Sequence, residues 1–142
     1  MFRGNSQARV DEKGRLKIPS SFLSDLKESG NEFYVTSILG DRAHIYPLKA
    51  WNDIEDRLGR LPTQHPLKQK FLTRTSYFGQ VVGLDAQGRL LIPQVVREAA
   101  LIKGDVDVMG SQTHLEVWNH DRLVESMSSA PLTSEDLNEL GI

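Results

Sequence analysis

The chain contains no cysteine. Disulfide scaffolds, zinc–thiolate sites and thiol nucleophiles are therefore excluded, and the lack fits a reducing, cytoplasmic setting. Long hydrophobic runs are also missing, and none approaches the roughly 20 residues that a membrane span requires. The opening Met1-Phe2-Arg3-Gly4-Asn5 lacks the apolar stretch of a secretory signal, so export is not expected. Nor is there a large excess of one charge: 17 Lys+Arg stand against 19 Asp+Glu, leaving −2 at pH 7. Such a balance argues against a protein that coats nucleic acid indiscriminately. What remains is a chain of 142 residues, 39% hydrophobic and 25% charged. These values suit a globular protein of one ordinary domain, or two very small ones packed together.

The near-neutral average hides an uneven distribution. From Asn119 to Ile142 a single base, Arg122, faces Asp121, Glu125, Glu135, Asp136 and Glu139, so this tail is acidic. Residues 1–118 are correspondingly net basic, and two segments stand out. One holds Arg3, Arg9, Lys13, Arg15 and Lys17 against Asp11 and Glu12. The other, residues 57–84, holds Arg57, Arg60, Lys68, Lys70 and Arg74 with no acid. A localised basic surface attracts phosphate even on a near-neutral chain, although any one such charge is commonly just solvated surface.

The sequence also repeats itself. Asp11-Glu12-Lys13-Gly14-Arg15-Leu16-Lys17-Ile18-Pro19 aligns without gaps on Asp85-Ala86-Gln87-Gly88-Arg89-Leu90-Leu91-Ile92-Pro93, with Asp, Gly, Arg, Leu, Ile and Pro identical. The pattern continues beyond the motif. A short helical stretch follows each Pro, then an apolar run at Phe33–Thr36 or Val106–Met109, then a second run, His44 to Trp51 or His114 to Trp118. Two copies of one small unit are expected.

Turn chemistry places the motif. Asp suits the first position of a type I turn, where its carboxylate accepts from backbone N–H groups. Gly14 and Gly88 suit the positive φ of a hairpin with a bulge. Leu16 and Ile18, like Leu90 and Ile92, then face one side of a strand while Arg15 and Lys17 face the other. Pro19 and Pro93 end the strands and open helices in which Phe22/Leu26 and Val96/Ala100 share a face. Gly30 and Gly104 are expected to cap those helices. Each unit thus reads strand, turn, strand, helix, strand, strand. Trp51–Arg60 and Leu67–Ser76 read as two further helices, Ser128-Ser129-Ala130-Pro131 as a joint, and Thr133 with Asp136 as the start of a short acidic helix. A unit of roughly 45 residues is too small to be stable alone, so the copies are expected to share a core with each other or with further subunits.

An arginine just after a tight turn is expected to project from the tip of a hairpin, and a two-stranded ribbon is narrow enough to enter the major groove of DNA. The arginine's planar guanidinium can bond guanine O6 and N7 together. Arg15 and Arg89 are the expected base-reading or anchoring residues, with Asp11, Asp85, Gly14 and Gly88 supporting them. Lys13, Lys17, Arg9 and Arg3 are the expected phosphate contacts. Because copy two has Ala86-Gln87 and Leu91 where copy one has Glu12-Lys13 and Lys17, the first hairpin is expected to contribute more. An isolated Asp–Arg pair beside a turn is often only a weak surface salt bridge; duplication and the neighbouring bases favour DNA. Phe2, Tyr77, Phe78 and Trp118 are candidate subunit contacts, with core burial the competing fate of each.

Enzymatic chemistry finds little support. His44, His65, His114 and His120 show no His-x-x-x-His spacing, and there is no P-loop, Gly-x-Gly-x-x-Gly or Gly-x-Ser-x-Gly. No metal, cofactor or small-molecule substrate is expected.

The opening Met1-Phe2-Arg3-Gly4, the two Asp-x-x-Gly-Arg-Leu-x-Ile-Pro motifs and the closing Glu116-Val117-Trp118-Asn119 resemble the MraZ family over about residues 1–125. The resemblance implies a bacterial transcriptional regulator, a repressor, built from two SpoVT-AbrB domains. These fall at residues 5–52 and 81–124, joined by a helical linker over 53–80 and followed by an acidic tail over 125–142. It implies an α+β, β-rich fold: a swapped-hairpin AbrB-type, double-psi-like β-barrel from two tandem βαββ units with flanking short helices. It further implies ring-shaped homo-oligomers in the cytoplasm and at the nucleoid. Their target would be double-stranded DNA carrying GTG-containing promoter repeats of the division and cell-wall gene cluster, usually including the regulator's own gene. Within the family, the arginine of each Asp-x-x-x-Arg, here Arg15 and Arg89, is the DNA-contacting member. An antitoxin-like protein-interaction module on the same barrel is the alternative.

Overall fold

The computed structural model describes residues 1–142. A first hairpin, β1 (Asn5–Val10) and β2 (Arg15–Lys17), leads into α1 (Ser20–Glu28), β3 (Glu32–Thr36) and β4 (Ala43–Pro47). The second copy repeats this order with β5 (Gln80–Gly83), β6 (Arg89–Leu91), α4 (Gln94–Ala100), β7 (Gly104–Ser111) and β8 (His114–Asn119). Each unit therefore places two strands before its helix and two after it, the order its residues predict. Between the copies lie α2 (Leu48–Gly59) and α3 (Pro66–Tyr77); α5 (His120–Ser129) and α6 (Ser134–Leu140) follow them.

The eight strands form one antiparallel sheet in the order β5-β3-β4-β8-β7-β1-β2-β6. Its ends approach at the second turn, where the Asp85 N–H donates to the Arg89 carbonyl at 3.0 Å, so the sheet curls into a nearly closed barrel. The leading strand of each copy pairs with the other copy: β1 lies along β7 from Asn5↔Met109 to Val10↔Gly104, and β5 lies along β3. The copies have exchanged hairpins, and neither owns a complete sheet.

A pseudo-two-fold relates them. Leu16 faces Leu90 at the centre of β2–β6, and Ile45 faces Leu115 in β4–β8. All four are completely buried. With Ile18, Phe33, Val35, Ile92, Val108 and Val117 they belong to a single core drawn from both copies. Full burial of one such side chain contributes about 1.5–3 kcal/mol, which explains why the repeats fold as one body. β2 and β6 are buried on one face, as the alternation of their residues predicts. β4 is buried on both faces, with aromatic packing outside the barrel from Tyr34, Tyr46 and Trp51.

Pro19 and Pro93 occupy the N-cap position with extended backbone, and their carbonyls accept from Phe22, Leu23, Val96 and Arg97. Gly30 does take a positive φ of 134°, but Gly104 does not cap α4 as expected. That role falls to Leu101 at φ 54°, because Ile102 must turn into the core immediately after Ala100. Two bonds hold this left-handed leucine: Ile102 N–H to Arg97 O at 2.9 Å, and Asn119 Nδ2 to Leu101 O at 3.1 Å. Ser128 and Ser129 are not a joint but the last turn of α5. The Thr133–Asp136 capping box opens α6 as expected, and α6 buries none of its residues. Phe2 and Trp118 are buried, Phe78 half-buried, and Tyr77 exposed.

Candidate nucleic-acid interface

Both motif turns close in the same way. Gly14 N–H returns to Asp11 O at 2.9 Å, and Gly88 N–H to Asp85 O at 3.1 Å. The glycines sit at φ 84° and 73°, the left-handed region a bulged hairpin needs. One carboxylate oxygen of each aspartate then accepts two backbone N–H groups, those of Lys13 and Arg15 at 3.0 and 2.9 Å or those of Gln87 and Arg89 at 2.9 Å each. The other oxygen accepts the guanidinium Nε of Arg15 at 3.0 Å or of Arg89 at 2.8 Å. The Arg15 N–H is the main influence holding the Asp11 carboxyl below its ordinary value of 3.8, and the Arg89 N–H does the same for Asp85. Both aspartates are ionised at neutral pH, and each fixes the arginine that follows it.

The two arginines are not at the hairpin apices. Glu12-Lys13 and Ala86-Gln87 occupy those, while Arg15 and Arg89 open β2 and β6. The hairpins are also not separate ribbons. β2 pairs with β6, and the carbonyls of Gly14 and Gly88 accept from Ile92 and Ile18 across the pair at 2.8 and 3.0 Å. Register sets Arg15 opposite Leu91 and Lys17 opposite Arg89 on the outward face of this shared ribbon. Arg15 and Arg89 therefore belong to one surface, each about one-third accessible.

The halves of that surface differ. Arg15 makes no hydrogen bond through its two terminal nitrogens, whereas Arg89 Nη1 lies 3.9 Å from Asp11 Oδ2. Lys13 extends freely from the first apex; Gln87 is its neutral counterpart, and its carbonyl accepts from Lys17 Nζ. Sequence reading missed Arg97. Its guanidinium lies over Gly14 and its Nε donates to Ile92 O at 2.9 Å, where Leu23 packs against Gly88 in the other copy. The repeat alignment pairs Leu23 with Arg97, and that apolar-to-charged difference was the available signal. Arg9 is exposed and pairs with Asp105 at 3.0 Å across β1–β7, a surface contact of little strength. Arg3 lies beyond the far end of β1 from the turn, at the Phe2↔Gln112 bridge, and is not brought to the others.

Lys13, Arg15, Lys17 and Arg89 thus face Asp11, Glu12 and Asp85 on this surface, leaving a small positive excess. The arrangement can present a guanidinium fork to a base edge with little loss of side-chain freedom, while its attraction to phosphate is modest.

This barrel, with hairpins exchanged between tandem copies, is of the AbrB-like class. A family model described as "MraZ protein, putative antitoxin-like" matches residues 1–74 and 80–137, which reaches past the point at which the motif resemblance stopped. Proteins named transcriptional regulator MraZ from Acidobacterium capsulatum and Koribacter versatilis are 49% and 46% identical to the chain, over 100% of it and of each relative. A third, from Clostridium acetobutylicum, is 34% identical over the same full coverage. The chain belongs to the MraZ family, which comprises transcriptional regulators and not enzymes.

Proposed function

We propose that the protein binds double-stranded DNA in a sequence-specific manner through the composite β2–β6 surface. Arg15 and Arg89 are its base-reading residues, and Asp11 and Asp85 hold them in place. Lys13, Lys17 and Arg9 supply phosphate contacts, and Arg3 does so only where DNA extends along β1. The observation that carries this reading is the convergence of two identical Asp-fixed arginines on one outward ribbon. A purely structural turn needs Asp and Gly but gives no reason to keep an arginine at both copies.

The small positive excess of one chain implies that affinity comes from several chains on repeated sites, where tethering raises the effective concentration. The regulator accordingly acts as a homo-oligomer, probing repeated promoter sites of the division and cell-wall gene cluster that includes its own gene, and represses it. Its setting is the cytoplasm and nucleoid; no helix is long and apolar enough to cross a membrane.

Footprinting and anisotropy titration on duplex DNA from upstream of its own gene test this. Protection is expected at regularly spaced repeats, with affinity falling steeply as salt rises and weak binding to a scrambled duplex. Equal affinity for both duplexes would refute sequence recognition. A second reading, a protein-interaction module, is favoured by the antitoxin-like description of the matching family. It predicts a stable complex with a protein partner and no footprint.

A further inference from the structure

We propose that His44, His114 and Glu116 form a binding site for a zinc-class divalent transition-metal ion, pinning β4 of the first copy to β8 of the second. One nitrogen from each imidazole and one carboxylate oxygen lie within 4.8 Å of one another. Register explains the cluster: His44 is opposite Glu116 in β4–β8, and His114 and Glu116, two residues apart on a strand, share a face.

The donor geometry suits a small dication. Glu116 Oε2 stands 3.4 Å from His114 Nε2 and 3.9 Å from His44 Nε2. Ligands held at ~2.0–2.1 Å in a tetrahedron are themselves about 3.3–3.4 Å apart, so small side-chain rotations close the set. Without a cation these groups serve one another poorly. His114 Nε2, which faces Glu116, is buried and has no hydrogen-bond partner, a deficit costing about 1–3 kcal/mol. A proton on either ring can satisfy only one contact, whereas an ion at the centre satisfies all three.

The surroundings orient His114 and Glu116. Thr113 Oγ1 lies 3.2 Å from His114 Nδ1, and Tyr46 stacks on the same ring at 4.2 Å. Trp118 Nε1 and Arg42 Nη1 both engage the other oxygen of Glu116, at 3.1 and 3.3 Å, leaving Oε2 to the histidines. Such second contacts are what metal-binding carboxylates and imidazoles require. The positive charge of Arg42 is already matched by Asp41, which takes two of its N–H groups at 3.0 Å each, so the cluster keeps the Glu116 charge for the ion.

The full chain, stripped with chelator and dialysed, is titrated with Co2+ and then Zn2+. Co2+ should produce a visible ligand-field absorption saturating at one ion per chain. Zn2+ should displace it, raise Tm, and shift the imidazole 15N signals of His44 and His114 but not those of His65 and His120. Glu116→Gln, His44→Gln and His114→Gln should each weaken binding at least ~100-fold, while His65→Gln and His120→Gln leave it unchanged. If the cluster variants fail to fold, the wild-type 15N shifts decide. A folded wild-type chain without saturable binding, ion-induced shifts at His65 or His120 instead, or unaltered binding in folded cluster variants would overturn the proposal.

Discussion

Arg15 is where the DNA reading is most exposed to refutation. Asp11 occupies its Nε and leaves both terminal nitrogens without an internal partner, so the whole outer fork is available to a guanine. One bidentate guanine contact is worth about 1–3 kcal/mol, or about 5- to 150-fold in Kd. Arg15→Ala should lower affinity for the promoter duplex by that factor. Its effect on a scrambled duplex should be smaller, because there only a charge is lost and the salt slope falls by about 0.9. Arg89→Ala should cost less, since Arg89 is drawn toward Asp11 as well as Asp85 and its apex carries Gln87 in place of a lysine. Arg15→Lys separates shape from charge: scrambled-duplex binding should recover while promoter binding does not, because an ammonium cannot form the fork. Anisotropy titrations of both duplexes over a KCl series measure all of these, with circular dichroism as the folding control. Equal losses on the two duplexes, or wild-type promoter affinity in Arg15→Lys, would show that Arg15 is no base reader; equal losses for Arg15→Ala and Arg89→Ala would remove the ranking of the hairpins.

Two further expectations concern stability. A Cβ at Gly110 would overlap the backbone of Phe2 and Arg3, so Gly110→Ala should expel the N-terminal segment and the buried Phe2 ring. Losing that burial costs about 2–3 kcal/mol, visible as a lowered thermal midpoint, and an unchanged midpoint would contradict the packing. His120 Nδ1 lies 2.6 Å from Asp107 Oδ2, and this contact raises the histidine above its ordinary 6.5, aided by the charges of Asp107 and Asp121. A raised histidine stabilises fully below about pH 6.5 and loses that contribution as pH climbs through the folded value. In urea titrations the deficit of His120→Gln should therefore be larger at about pH 5.5 than at about pH 9; equal deficits would mean that the pair is not ionic.

The local motif was legible because its determinants are local. Asp at the turn start, Gly four residues into the motif and alternation over Leu16 and Ile18 are dictated by sterics and by hydrogen bonds within five residues. Duplication was legible as identity at a fixed offset. Hairpin exchange entered only through the family resemblance, because pairing β1 with β7 or β5 with β3 depends on contacts over distances that no local pattern encodes. The same limit hid the composite character of the arginine surface: β2 and β6 each looked like half of an isolated hairpin. The cap of α4 was misassigned for a tertiary reason: Ile102 turns into the core, so the helix ends at Leu101, and the positive φ of Gly104, 65°, serves the start of β7 instead. The histidine pair and Glu116 escaped notice because one member lies on β4 and two on β8, a spacing that fits no contiguous metal motif.

Carrying both copies in one chain has a physical consequence at the axis through β4–β8. The pseudo-two-fold relates His44 to His114 and Tyr46 to Glu116, judged from the pairing of Ile45 with Leu115. A true dimer of the second copy would set each Glu116 opposite a His114 and bury two carboxylates about one axis, each disfavouring the ionisation of the other. A true dimer of the first copy would bury two tyrosines and two histidines with no carboxylate between them. Only the fused, unequal pair places one carboxylate between two imidazoles, with Arg42 and Asp41 on a single side. The same freedom is used at the arginine surface, where Leu23 faces one glycine turn and Arg97 the other. The repeats keep identity where the turn and the core require it and diverge where a symmetric pair would place like charges together.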